Sequence, residues 1–257
     1  MCGEILHVLQ ELGLEQNTLV IVTSDHGWPF PRGKGSAYEA SNHVPFAAMW
    51  PRGIAKPGRV VDDYVSFIDL APTFIELAGL KWAQSGMAES LGRSLTDIFR
   101  SEKNGRVNPA RNFALIGKER TDIGRPNDWG YPIRALVTKD SVLIENFEPS
   151  RWPGGNPETG YLDTDASPTK TFILQARRNQ GTDPYWTLCF GKRPARELYD
   201  LKTDRCESVN LAEKNPEKLR EMIALFTKQS DEIRALARKD LPAGAQPAAS
   251  GNKKPAK

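Results

Sequence analysis

A chain of 257 residues with 39% hydrophobic and 26% charged content has enough apolar material for a core, which excludes a low-complexity or fibrous protein. The net charge of +3 is small and its excess lies toward the carboxyl-terminal tail, so it points to no nucleic-acid partner. No signal peptide and no apolar run of membrane-spanning length is read, and three widely spaced cysteines suit neither a disulfide framework nor a zinc site.

In chain order, Ile5, Leu6, Leu9 and Leu12 recur at helical spacing and Gly13 stands in the usual stop position, so Gly3 to Gly13 is expected as a crossover helix, with His7 facing solvent. Thr18 to Thr23 is β-branched or aliphatic without polar alternation, the pattern of a parallel strand buried on both faces. Ser24, Asp25, His26 and Gly27 fall where that strand ends, and the crevice beyond such ends is where ligands bind in open α/β sheets. Asp25 and His26 are adjacent, so a loop must aim both at one point, and Gly27, Pro29 and Pro31 supply it. A carboxylate beside an imidazole can coordinate a divalent cation. Nine residues past Asp25, Lys34 sits between Gly33 and Gly35, which let the backbone approach whatever the ammonium binds. A cation and a lysine together suit an oxyanion such as sulfate or phosphate, whereas Asp-His-Gly alone is more often a turn with a capping Asp than a metal site.

The segment Val44 to Trp50 reads as a second strand, and Val60 to Leu80 as a strand, a turn and a helix, with Asp69 as N-cap, Pro72 in the first turn and Gly79 closing it. Lys81 to Asn112 is polar and glycine-punctuated, a surface connection with a short amphipathic piece at Leu91 to Phe99. Phe113 to Gly117 is a strand. The loop that follows carries both charge signs from Lys118 through Thr121, Asp122, Gly124 and Pro126 to Arg134, with Arg120 and Arg134 able to grip an acidic group. Ala135 to Asn146 is a hairpin turning at Lys139 and Asp140, Phe147 to Pro168 is irregular, Glu197 to Leu201 is a last strand, and a helix runs from Pro216 to about Arg238. Residues 241–257, rich in Ala, Pro, Gly and Lys, are expected to be a disordered tail.

The strings TLVIVTSDHG and PFPRGKGSAYEASNHVPFAAMWP, with GRVVDDYVSFIDLAPTFIELAGL, LGRSLTDIF, GYPIRALVTKDSVLIENFEPSRWP and RPARELYDLKTDRCESVNLAE after them in order, resemble the sulfatases of the alkaline phosphatase superfamily, and among them the heparan N-sulfatase type. The resemblance implies an α/β fold: part of a mixed sheet flanked by helices over residues 1–125, then a small carboxyl-terminal α+β subdomain over 126–240. It implies hydrolysis of a sulfate ester or sulfamate on a sulfated carbohydrate, with no nucleic-acid or membrane partner. Asp25 and His26 would ligate a divalent metal, calcium as a rule in these enzymes, where the second position is often Asn. Lys34 would bind a sulfate oxygen. His43 stands where many sulfatases carry Arg ahead of Val-Pro and is the candidate general acid, and Arg120 and Arg134 would contact substrate. Sulfatases make a formylglycine nucleophile from a Cys-x-Pro-x-Arg string; Cys2 precedes Gly3, Cys189 precedes Phe190 and Cys206 precedes Glu207, so the chain is expected to match the carboxyl-terminal half of such an enzyme and to be inactive alone. The rival readings are a phosphatase or phosphodiesterase of the same superfamily, and a non-catalytic module that binds a sulfated ligand.

Overall fold

The computed structural model describes residues 2–120, 129–157, 164–181 and 183–239, with side chains to residue 235 in the last helix. The expected tail and the loop positions Thr121, Asp122, Gly124 and Pro126 lie outside the described residues. The chain divides into two compact units, one of Met1–Val65 and Asp97–Ile223, the other of Ser66–Thr96 and Ala224–Lys257.

The first unit is built on a four-stranded antiparallel meander in the order β3 (Phe113–Lys118), β4 (Ile133–Thr138), β5 (Ser141–Asn146) and β6 (Arg196–Asp200). β4 and β5 form the expected hairpin. The two-residue turn fixes the register at Val137 opposite Val142 and Leu136 opposite Leu143. Because side chains alternate across a strand, Ile133, Ala135 and Val137 share one face with Val142, Ile144 and Tyr199, while Leu136, Leu143 and Leu198 lie on the other. Both sets are buried, so the middle of this sheet is covered on its two faces. Ala37 and Tyr38 pack against the first face and bring the lysine loop onto the sheet.

The strand expected to be parallel and buried on both faces is neither in these surroundings. β1 (Val20–Thr23) pairs antiparallel with β2 (Phe46–Met49) in a two-stranded sheet, Val20 opposite Met49 and Thr23 opposite Phe46. Val22 is half exposed: its apolar sequence suits a covered strand, but a two-stranded ribbon has little to cover it. The preceding helix α1 (Cys2–Glu11) likewise has no buried residue, and His7 lies on its exposed surface paired with Glu11. Between β1 and β2 comes the one-turn helix α2 (Glu39–Asn42).

Two further helices, α5 (Pro168–Gln180) and α6 (Pro184–Phe190), each begin with a side-chain cap followed by proline. Ser167 Oγ accepts the Lys170 amide at 3.1 Å and Asp183 Oδ1 the Trp186 amide at 2.7 Å, satisfying donors that a helix start leaves open. Ile173, Trp186 and Phe190 close a second small core with Trp152, whose ring meets Trp186 edge-on at 5.9 Å.

In the second unit Asp69 is structural. Its Oδ2 accepts the Ser66 amide at 3.1 Å in a capping box and its Oδ1 the Arg93 amide at 2.8 Å, at the start of α3 (Leu70–Leu77). Thr73 Oγ1 accepts the Leu95 amide at 2.9 Å. The stretch expected as surface connection is therefore partly core. Leu95 is buried in this unit, and Ile98, Phe99 and Arg111, the first two on α4 (Thr96–Arg100), are buried in the first. α7 (Pro216–Lys239) ends the described chain, with Met222 buried in its second turn.

Candidate functional site

β1 ends at Thr23, whose hydroxyl donates to the Pro45 carbonyl at 2.8 Å, and the chain turns at once. Ser24 Oγ donates to the His26 carbonyl at 2.7 Å, and the Gly27 amide donates to the Ser41 carbonyl at 2.9 Å, laying the turn against α2. A Cβ on Gly27 would stand 2.1 Å from the Ala40 carbonyl oxygen, so only glycine allows this approach. His26 Nδ1 lies 2.6 Å from the Gly27 carbonyl oxygen, which can only accept, so Nδ1 is the donor. Nε2 is 3.8 Å from Asp25 Oδ2, and the Asp25 carboxylate is 87% exposed.

The loop after Trp28 folds back on itself. The Lys34 amide donates to the Trp28 carbonyl at 3.0 Å, and a Cβ at Gly33 would lie 2.3 Å from that same oxygen. Lys34 Nζ donates to Asp165 Oδ1 at 2.9 Å. That hydrogen bond, with the charges of Lys34 and His26, holds the Asp165 carboxyl below its usual range. The Asp-His turn and the Lys34 loop therefore act on one carboxylate. As cation donors, Asp25 and His26 fit in pairs only: among the described residues no third His, Cys, Asp or Glu joins them in a metal-sized group.

Lys34 also lines a cleft of about 40 Å³ with Arg32, Tyr38, Tyr131, Arg193 and Glu197, room for ordered water. Its floor is a buried polar network. Glu197 Oε2 accepts the hydroxyls of Tyr38 at 2.9 Å and Tyr199 at 2.5 Å, and Oε1 accepts Asn146 Nδ2 at 2.8 Å. Tyr131 donates to Asn146 Oδ1 at 3.2 Å. Burial is the main reason both Tyr38 and Tyr199 ionise well above the ordinary tyrosine range, and the Glu197 charge adds to it. The Arg32 guanidinium lies 3.8 Å from the centre of the Tyr38 ring. Asp25 and His26 are not among the residues lining this cleft.

The other expected site residues stand apart from it. His43 is exposed at the end of α2 with Nδ1 3.0 Å from Glu39 Oε1. Arg134 donates to the Lys118 carbonyl at 3.0 Å and pairs with Glu119. Arg120 is exposed beyond β3. Sequence reasoning did not single out Arg32, Asp165, Arg193, Glu197 or Glu207. Their partners lie far off in the chain, and four of them fall inside the PFPRGKG, RPARELYD and DRCES strings without any local mark of their role. Cys2, Cys189 and Cys206 are free, and burial pushes the Cys189 thiol up. No helix among the described residues is long and apolar enough to cross a membrane.

Residues 1–80 match the Sulfatase family model. Arylsulfatase K of Xenopus laevis is 29% identical over 86% of this chain and 33% of its own length, and N-sulphoglucosamine sulphohydrolase of Homo sapiens 28% identical over 82% and 40%. The chain thus spans between a third and two fifths of these curated relatives. Among solved structures, one bound to D-glucosamine-2-N,6-O-disulfate superposes with TM-score 0.57 at 20% identity over 95% of this chain and 39% of that one, and a sulfatase from Bacteroides thetaiotaomicron with 0.57 at 22% over 95% and 42%. These two share the fold, the α/β arrangement of sheets flanked by helices. The Asp-His turn and the glycine-flanked lysine lie inside the stretch over which the chain is similar to the sulfatases.

Proposed function

We propose that this chain is the part of a sulfuric ester or sulfamate hydrolase that grips the sulfuryl oxygens of a sulfated sugar. The observation that carries the reading is Asp165: its carboxylate is held by Lys34 and also feels the His26 charge, so two motifs eight residues apart in sequence act on one oxyanion. Lys34 would offset negative charge on a sulfuryl oxygen, the role of a fixed donor aimed at developing charge. Asp25 and His26, through Nε2, would hold a divalent cation, calcium by family, and a cation there would draw further charge from the same oxygens. Arg32 and Arg193 make the adjoining cleft cationic, and Arg120 and Arg134 would reach an acidic group of a longer substrate. His43, exposed and paired with Glu39, would serve as general acid only by leaving that pair. Two relatives whose names state a substrate, the sulphohydrolase above and an ulvan-active sulfatase of Formosa agariphila, 29% identical over 79% of this chain, support a sulfated carbohydrate.

No Cys-x-Pro-x-Arg string supplies a formylglycine, so no residue of this chain is assigned the nucleophile, and the purified chain should bind a sulfated sugar without turning it over. Calorimetry with glucosamine 6-sulfate and calcium tests this. Binding should weaken by about tenfold or more in Lys34→Ala, the loss of a charge-assisted contact. Equal binding by both proteins removes Lys34 from the site, and turnover of an aryl phosphate but not an aryl sulfate would favour the phosphatase reading.

A further inference from the structure

Lys34 can meet a substrate oxygen only if its loop is held, and beside the loop's own hydrogen bond to Trp28 a distant residue contacts both of its ends. Glu207, 1% exposed, follows β6 in a turn with φ of 52°. Its carboxylate Oε2 accepts the Glu39 amide at 2.8 Å, and its main-chain carbonyl accepts a hydrogen bond from Arg32 Nη2. These contacts fall at the two ends of residues 32–39, the segment that carries Lys34. Arg32 is itself left-handed, φ 69°, and its Nη1 donates to the Leu188 carbonyl at 3.1 Å. Left-handed backbone is strained for residues with a Cβ and persists where the surroundings over-determine it. In this pair, the two such residues among those described touch each other. The remaining carboxylate oxygen, Oε1, is buried with no hydrogen-bond partner, an exception that stability alone does not favour.

We infer that Glu207 is the positioning residue for Lys34, clamping both ends of the lysine loop so that the ammonium is presented at a fixed point. This rests on the proposed role of Lys34 in anion binding. The charged groups facing Glu207 are Arg32 from the loop, Glu39 from α2 and Glu197 from β6. Burial, with Glu39 and Glu197 adding repulsion, outweighs the Glu39 amide and Arg32 and pushes the carboxyl up to about 7. The clamp is therefore tight while the carboxyl is protonated. It loosens as pH rises past neutrality, when an ionised, half-satisfied carboxylate favours exposure to water.

The test is acetylation of Lys34 in the full chain, followed by mass spectrometry against the exposed Lys56, in wild type, Glu207→Gln and Glu207→Ala. At pH 6 the Lys34-to-Lys56 rate ratio should rise about fivefold in Glu207→Ala and stay near wild type in Glu207→Gln, which keeps an acceptor for the Glu39 amide. From pH 6 to pH 8 the ratio should rise in wild type and not in Glu207→Gln, which a generally weakened fold would not produce. A folded Glu207→Ala with an unchanged ratio overturns the inference. If that variant does not fold, identical pH profiles of wild type and Glu207→Gln overturn it. Repeating the labelling with sodium sulfate separates the two readings: a clamp effect without sulfate protection of Lys34 leaves the clamp standing and removes the anion site.

Discussion

Replacing Glu197 by alanine should be among the most damaging single changes in the first unit. The side chain is 2% exposed and accepts from Tyr38, Tyr199 and Asn146. Asn146 Nδ2 keeps a second acceptor, the Pro194 carbonyl at 2.9 Å, so the loss falls on two buried phenolic hydroxyls. An orphaned buried donor costs about 1–3 kcal/mol. Two of them, with the cavity left by the side chain, come to about 3–5 kcal/mol. For a domain of this size that is a fall in Tm of about 10 °C or more, measurable by circular dichroism. The triple variant Glu197→Leu, Tyr38→Phe, Tyr199→Phe removes donors and acceptor together and should recover most of the loss, because swapping a matched buried polar set for apolar groups is close to neutral. A Glu197→Ala cost under about 1 kcal/mol, or a triple variant less stable than the single one, would refute the idea that the Tyr38 and Tyr199 hydroxyls depend on Glu197.

Three further outcomes can be checked. Glu207 has a folded-state pKa raised to about 7 from 4.5, so the stability it lends is whole below pH 4.5 and is lost as pH climbs through about 7. The loss is roughly 3 kcal/mol, and urea titrations across that window should be flatter for Glu207→Gln. Gly27→Ala forces a methyl onto the Ala40 carbonyl and should cost about 1–3 kcal/mol by denaturant unfolding, with Asp25 and His26 displaced from α2. Asp183→Ala removes the α6 cap and should cost about 1 kcal/mol, a small downward step in Tm that Asp183→Asn largely avoids.

Elements whose signal is local were readable from the chain. The β4–β5 hairpin follows from two apolar runs separated by Lys139 and Asp140, and α7 from a proline start and a steady apolar stripe. Ser-Pro at 167 and Asp-Pro at 183 announce α5 and α6 equally well. With Phe172 and Tyr185 exposed, however, neither helix shows a clean stripe, and both went unread. β1 was legible as a strand, but its neighbours were not, because an apolar run records only a demand for cover. At the site, Asp25, His26 and Lys34 lie on one short loop and could be found by spacing. The Tyr38–Glu197 and Glu39–Glu207 contacts span more than 150 positions of chain, and no periodicity marks an inward-facing glutamate on a strand or in a turn.

The Lys34–Asp165 pair means that this ammonium already has an acid to lean on before any ligand arrives. An entering oxyanion trades places with a tethered competitor, so the energy gained is the margin by which it outbids a single carboxylate. Such an exchange favours compact, multiply charged groups over lone carboxylates, and it makes the rate at which Asp165 lets go a natural limit on how quickly the pocket fills.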